Sequence, residues 1–100
     1  MKDFRELKVW QKAHQLVLEV YCQSAQLPAE ERFGLMAHLR KTAVSIPSNI
    51  ASGSAAELDY QLLLARDLAY LPTDVYRELD TRVSEVKRML YRFIQSLADA

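Results

Sequence analysis

The sequence predicts an all-α protein, an antiparallel up-down-up-down four-helix bundle that forms a single domain over residues 1–100. Apolar residues recur at spacings of three and four through nearly every segment, which is the pattern of helices that each bury one stripe. Strand-type alternation persists nowhere. With 2 Gly and 3 Pro in 100 residues, the chain also lacks the turn residues of a β-sandwich.

The helices are predicted at about 4–26, 29–51, 54–71 and 73–98. Each has its own apolar stripe. The residues of the four stripes, helix by helix, are Trp10, Ala13, Val17, Val20 and Leu27; Phe33, Met36, Leu39, Ala43, Ile46 and Ile50; Ala55, Leu58, Leu62, Ala65 and Ala69; and Leu79, Val83, Val86, Leu90, Phe93 and Leu97.

The boundaries follow from local chemistry. Pro28 and Pro72 each disfavour a helical conformation in the preceding leucine and begin a new helix easily. Asp3 with Glu6 fits a capping box, and the segment Ser52-Gly53-Ser54 separates helices two and three. Short connections favour antiparallel neighbours. The third helix is predicted to be about two turns shorter than the others, which either opens a groove at one end or means that a segment is missing.

Composition argues against several classes of function. The 13 basic and 13 acidic side chains cancel, so net charge gives no case for a polyanionic partner. No apolar run approaches the ~20 residues of a membrane span, and the N-terminus does not resemble a signal peptide. Cys22 is the only cysteine, so no intrachain disulfide can form. We therefore expect a cytoplasmic protein without membrane contact.

Enzymatic chemistry is not predicted. A di-metal site in a helical bundle needs Glu-x-x-His pairs, but Gln11 stands three residues before His14 and Leu35 three before His38. There is no Gly-x-Ser-x-Gly turn, glycine-rich phosphate loop or Cys-x-x-Cys motif. We expect no catalytic residue, no cofactor, no bound metal and no small-molecule substrate.

Basic residues suggest a second possibility, a nucleic-acid interface. The bundle topology predicts that one end collects an excess of Lys and Arg, here called the basic pole. Its candidate contacts to phosphates are Arg40, Lys41, Lys87, Arg88 and Arg92. The alternative explanation is that these residues stabilise the negative ends of the helix dipoles, since basic side chains are favoured near helix C-termini.

More apolar residues are present than one bundle needs. Leu18, Leu64 and Tyr91 lie well off their stripes and would face water in a monomer. Apolar surface of this kind usually marks an interface. We therefore predict a homo-oligomer, with these three residues as candidate contacts between subunits.

Several segments resemble a known family. Residues 4–14, FRELKVWQKAH, resemble the opening of the bacterial four-helix-bundle family encoded in intervening sequences of 23S ribosomal RNA genes. Residues 31–35, ERFGL, are similar to its second block, and residues 39–51, LRKTAVSIPSNIA, to its most distinctive one. Residues 53–58, GSAAEL, are similar to its third-helix block.

The resemblance implies a small cytosolic bundle without known enzymatic activity, assembled as a ring-like homopentamer. Similar proteins include the accessory variability determinants of diversity-generating retroelements, basic bundles that associate with a reverse transcriptase and nucleic acid. Two functions are therefore open. The leading one is a non-enzymatic, self-associating scaffold, and the alternative is a nucleic-acid or reverse-transcriptase-associated accessory protein.

This chain departs from the family pattern in two respects. It is neutral overall, which weakens the implied nucleic-acid role. Family members also carry a longer segment between the Asn-Ile-Ala end of the second helix and the Gly-Ser block, whereas Ala51 here runs directly into Ser52. Either the protein has lost a loop and the first turns of helix three, or the segment is missing from the sequence as written.

Overall fold

The chain is helical in all the parts that its structure describes. A computed structural model describes residues 4–49 and 52–98, and every regular element in these ranges is helical. The α-helices are α1 (Lys8–Ser24), α2 (Leu35–Asn49), α3 (Ser52–Asp67) and α4 (Thr73–Ala98), and short 3₁₀ helices span Phe4–Glu6 and Ala29–Glu31. The predicted all-α class is confirmed. The predicted Asp3 cap and the Ala51–Ser52 junction lie outside the described residues.

The helices form a closed ring of neighbours. Helix α1 packs against α2 and α4, and α3 packs against the same two helices. Contacts between neighbours run in opposite order along the chain. Lys12 of α1 lies 3.3 Å from Glu85 of α4, whereas Glu19, further along α1, lies 4.0 Å from Arg82, earlier in α4. Helices α1 and α4 are therefore antiparallel.

The same order holds for α3. Asp59 lies 3.5 Å from Lys87, while the Arg66 guanidinium lies 4.7 Å from the ring centre of Tyr76. The core between the four helices is apolar and contains most of the stripe residues, but the predicted members Phe33, Ala69 and Leu97 are exposed instead. Its buried members are Val9, Ala13, Leu16, Val20, Leu27, Leu39, Ala43, Ile46, Ala55, Leu58, Leu62, Ala65, Leu71, Leu79, Val83, Val86 and Leu90.

Helices α1 and α2 begin later than predicted. The extended backbone of Leu7 (φ −70°, ψ 126°) separates α1 from the first 3₁₀ helix. Helix α2 begins at Leu35 rather than at residue 29, because a 3₁₀ helix and a turn through Gly34 come first. The Glu31 carboxylate then accepts a hydrogen bond from the Leu35 N–H at 3.2 Å, which satisfies one free donor of the new helix.

Helix α3 ends at Asp67, four residues before the predicted boundary, because Ala69 adopts a left-handed conformation (φ 61°). The Tyr70 N–H then bonds to the Ala65 carbonyl and the Ala69 N–H to the Arg66 carbonyl, both at 2.9 Å. This is a Schellman motif, which usually has glycine at the left-handed position.

The helix lengths correct one prediction. Helices α1, α2 and α3 contain 17, 15 and 16 residues, while α4 contains 26. The third helix is therefore not the single short one; instead, α4 outruns all three of its neighbours. Among the described residues, no helix is long and apolar enough to cross a membrane.

Candidate interaction surfaces

A large apolar groove lies between the first half of α1 and the second half of α2. We call it the α1–α2 groove. Its volume is about 650 Å³. It is lined by Phe4, Leu7, Trp10, His14, Val17, Val44, Pro47 and Ser48.

Aromatic contacts hold the shape of this groove. The rings of Trp10 and His14 stack with centres 5.0 Å apart and planes 6° from parallel. Phe4 meets the Trp10 ring edge-on at 5.1 Å. Because these rings brace one another, the groove is a preformed apolar surface rather than a gap between mobile side chains.

Leu18 extends this surface. It lies one turn beyond His14 on α1, and its side chain is 57% exposed. Tyr21 and Val44 are also exposed. The side of the bundle formed by α1 and α2 is therefore apolar from Phe4 to Tyr21, without a covering element in the described chain.

The second uncovered surface is the end of α4. If the antiparallel registers set by Lys12–Glu85 and Asp59–Lys87 are extended, α1 begins at about the level of Met89 and α3 at about the level of Ile94. Residues 91–98 therefore continue past the start of α1, and residues 95–98 past the start of α3 as well; we call residues 91–98 the α4 overhang. Its exposed apolar side chains include Ile94 and Leu97, at 42% and 61%.

A smaller pocket marks where α1 meets the base of the α4 overhang. Its volume is about 240 Å³, and Leu7, Met89 and Phe93 form its apolar floor. Lys8 and Arg92 also line it. This pocket combines apolar surface with two cations, so it suits an amphipathic or anionic group better than a neutral one.

The predicted subunit contacts divide into two groups. Leu18 and Tyr91 are exposed, Tyr91 at 66%. Leu64 is only half-buried, which corrects the prediction that it faces water. Leu64 lies one turn after Tyr60 and Gln61, on a flank of α3 that α2 and α4 partly cover, and it is therefore half-buried.

The predicted basic pole is split between the two ends of the bundle. Arg40 lies at the end where α1 finishes. Its Nε donates to the Ser24 hydroxyl at 2.9 Å, its Nη2 donates to the Tyr21 carbonyl at 3.2 Å, and its guanidinium lies 4.8 Å from the Tyr21 ring centre. The prediction that Arg40 joins Arg88 and Arg92 at one pole is wrong, because α2 begins at Leu35 and Arg40 falls in its first half.

The remaining candidates have different surroundings. Lys87 pairs with Asp59, so its charge is already balanced. Lys41 is exposed on α2, while Arg88 and Arg92 are exposed near the overhang. Within residues 4–49 and 52–98, no acidic side chain pairs with Lys41, Arg88 or Arg92. The surviving basic patch therefore consists of Lys8, Arg88 and Arg92.

A pair of carboxyl groups joins α3 to α4. Asp80 and Asp59 line the same cavity of about 330 Å³, together with Tyr60 and Tyr76. Burial and the neighbouring Asp59 raise the pKa of Asp80 above its usual 3.8. Burial, followed by the charge of Asp80, raises the pKa of Tyr76. In the part of the chain that the structure describes, no three His, Cys, Asp or Glu side chains are grouped to hold a metal ion.

The sequence predicts a groove only as one consequence of a short third helix, and it predicts neither the α1–α2 groove nor the overhang. Each depends on where neighbouring helices begin and end, and these boundaries were the weakest part of the prediction. For the groove, the available signal was the spacing of Phe4, Trp10 and His14, which brings their rings together on one side of α1. For the overhang, it was the apolar stripe of α4, which continues to Leu97.

A protein-family model, described as 23S rRNA-intervening sequence protein, matches residues 5–56 and 49–92. The chain belongs to this family. The predicted resemblance is thereby confirmed. No curated protein matches the chain.

The match to the 23S rRNA-intervening sequence protein family falls into two segments, which overlap at residues 49–56. This overlap coincides with the junction of α2 and α3, where the sequence predicts a missing segment. If a family segment is absent at this position, α2 would end early and α3 would begin late, at the same end of the bundle where α4 extends furthest.

Proposed function

We propose that this member of the 23S rRNA-intervening sequence protein family is a non-enzymatic, cytoplasmic interaction module whose copies associate with one another. The ring of five subunits implied by the resemblance is our expected assembly. The observation that carries the proposal is the continuous apolar side formed by the α1–α2 groove and Leu18. Contiguous exposed apolar surface of this kind is typical of protein–protein interfaces.

The side of the bundle suits a ring. Helices of adjacent subunits can pack side by side when each contributes a different face, and such heterologous contacts close into rings. The groove lies along α1 and α2, away from the connection between α3 and α4. A neighbouring subunit can therefore cover it without disturbing the core.

The composition of the groove supports binding rather than catalysis. Of its lining residues, His14 alone has a side chain suited to acid–base catalysis, and this ring is stacked on Trp10. No nucleophile with a partnered base lines the groove. Bound metal or turnover of a substrate would contradict this part of the proposal.

Native mass spectrometry tests self-association directly. We expect the wild-type protein to be a multimer and Leu18→Glu to reduce the number of subunits, since the substitution places a charge in the apolar contact. Gln15→Glu is the matched control, because Gln15 is exposed on the same helix without lying next to the groove. A wild-type protein that stays monomeric at high micromolar concentration would refute the proposal.

The basic patch keeps the nucleic-acid alternative testable. Lys8, Arg88 and Arg92 are exposed and Lys8 and Arg92 line one pocket, which favours a phosphate contact there. Under this alternative, the double substitution Arg88→Ala and Arg92→Ala lowers the salt slope of RNA or DNA binding by about 2, whereas Arg40→Ala with Lys41→Ala changes it less. An absence of gel shift at low salt with the wild-type protein would eliminate this function.

A further inference from the structure

Helix α3 carries a second apolar stripe on the side that faces away from the core. Tyr60, Leu64 and Leu68 follow one another at intervals of four residues, so they are neighbours along one side of the helix. Tyr60 and Leu68 are exposed, at 63% and 47%, and Leu64 is half-buried. The Leu68 N–H bonds to the Leu64 carbonyl at 2.9 Å, which continues the helical turn past Asp67. We call these three residues the outer α3 stripe.

The outer α3 stripe makes α3 the least amphipathic of the four helices. The opposite side of α3 faces the core through four buried residues, Ala55, Leu58, Leu62 and Ala65. A helix that is apolar on two sides is typical of a helix that is covered on both. Within the part of the chain that the structure describes, α3 packs only against α2 and α4, which leave Tyr60 and Leu68 exposed.

The outer α3 stripe lies at the same height in the bundle as Leu18, at one end of the apolar side formed by α1 and α2. Val20 and Leu62 line one layer of side chains, which fixes the relative height of α1 and α3. Tyr60 stands two residues before Leu62 and Leu18 two residues before Val20, which is about 3 Å along each helix axis. Both helices run antiparallel to α4, so the two displacements have the same direction. In a ring of copies whose axis is parallel to the helices, Tyr60 of one copy therefore comes level with Leu18 of the next.

The two surfaces carry opposite charges. Helices α1 and α2 together contain four Lys or Arg residues and one acidic residue, whereas α3 contains three acidic residues and one Arg. Beside the outer α3 stripe, Glu57 is exposed one turn before Tyr60. On α2, Lys41 is exposed one turn before Val44, which lines the α1–α2 groove. Contact between unlike surfaces therefore joins opposite charges, whereas contact between like surfaces would join like charges.

We propose that the outer α3 stripe of one copy packs against the apolar side formed by α1 and α2 of the next copy, with Tyr60 against Leu18 and Glu57 beside Lys41. This inference rests on the proposed function and names the surface that covers the groove side. An apolar helix face laid between two helices is a common mode of recognition. Because each copy contributes a different surface, the contact is heterologous and successive copies can close into a ring.

Disulfide crosslinking tests the pairing of these two surfaces. With Cys22→Ser removing the single native thiol, a chain that carries both Leu18→Cys and Tyr60→Cys should form a ladder of covalent multimers under mild oxidation. Each single variant should stay uncrosslinked, because a heterologous contact does not place a residue opposite its own copy. Thr81→Cys combined with Leu18→Cys is the matched control, since Thr81 is exposed two residues after Leu79 of the same layer but lies on α4. This control should not form the ladder.

Charge reversal tests the pairing of Glu57 with Lys41. Lys41→Glu and Glu57→Lys should each raise the protein concentration needed for half assembly by about tenfold, because each places like charges across the contact. The two substitutions in one chain should restore assembly. Arg77→Glu, which reverses an exposed charge on α4, should leave assembly unchanged.

The outcomes separate this contact from the proposed function. A multimeric wild type whose double-cysteine chain forms no more ladder than the Thr81→Cys control would overturn the contact while leaving the proposed self-association intact. Covalent dimers from a single-cysteine variant, or a charge reversal that the second substitution does not rescue, would have the same consequence. A wild-type monomer would overturn both.

Discussion

The two ends of the bundle differ in how completely its helices cover one another. At the end that carries the α1–α2 and α3–α4 connections, here called the loop end, one layer brings together all four helices without room for a water molecule. Its residues are Val20, Gln23, Ser24, Leu39, Leu62, Leu71 and Leu79. At the opposite end, the last turn of α4 extends past the other described helices, and open pockets of about 240 and 650 Å³ lie nearby.

The loop end is also tied together by polar contacts. The Glu31 carboxylate caps α2 and accepts a hydrogen bond from the Tyr70 hydroxyl at 3.1 Å, so it links the two connections. This contact raises the pKa of Tyr70. One amphipathic stripe is therefore core at one end of α4 and exposed at the other, depending on where the neighbouring helices begin and end.

The largest expected effect comes from opening the closed layer. Leu39→Ala should lower the free energy of unfolding by about 2–5 kcal/mol, because it leaves a cavity among fully buried side chains. Leu97→Ala should change the stability of a dilute single copy by less than about 0.5 kcal/mol. Urea unfolding of the two variants at low concentration checks this difference, and equal losses would show that the two ends are not distinct.

A smaller gain is expected at the end of α3. Ala69 adopts a left-handed conformation that costs an alanine about 1–2 kcal/mol relative to glycine. Ala69→Gly should therefore raise the free energy of unfolding by about 1 kcal/mol, after the greater flexibility of glycine in the unfolded chain is deducted. Ala29→Gly, in the second 3₁₀ helix, is a control that should not stabilise. An Ala69→Gly protein less stable than wild type would contradict the Schellman geometry.

The hydrogen bond between Tyr70 and Glu31, which links the two connections, should contribute a comparable or smaller amount to the free energy of unfolding. Tyr70→Phe removes the hydroxyl that donates to Glu31 and should cost about 0.5–1.5 kcal/mol. Tyr60→Phe is the matched control, because Tyr60 is exposed and no hydrogen bond from its hydroxyl occurs in the described chain. Thermal unfolding measures the effects of both substitutions. Equal shifts in Tm would show that the Tyr70–Glu31 hydrogen bond does not stabilise the fold.

The smallest expected effect concerns pH. Since the folded state raises the pKa of Asp80, its contribution favours folding at low pH and is lost as the pH rises through the raised value. Asp59 opposes ionisation of Asp80, while Lys87 and Arg66 favour it. Asp80→Asn should flatten this part of the stability profile and add about 0.5 kcal/mol at pH 7. A profile identical to wild type above pH 4 would contradict the shared carboxyl pair.

Periodicity alone was enough to predict the fold class and the bounds of α4. The other boundaries were less accurate, because they depend on contacts rather than on spacing. Helix α2 starts late since Glu31 caps it across the Gly34 turn, and α3 ends early since Ala69 takes a conformation that alanine seldom adopts. Arg40 was misplaced for the same reason, as an error of six residues at the start of α2 moves it to the other end of the bundle.

The candidate surfaces were predicted only in part. The off-stripe positions of Leu18 and Tyr91 correctly indicated exposed apolar residues. The overhang was not predicted, because the stripe of α4 has the same spacing where it is buried and where it is exposed. Burial depends on the neighbours, which at this end are the last turn of α2 and the first turn of α3.

Hydrogen exchange along α4 in dilute protein tests the central claim most directly. We predict slow exchange for the backbone amides of residues 79–90 and much faster exchange for residues 95–98. Equally slow exchange along the whole helix would show that a single chain already covers residues 95–98, which would contradict the account.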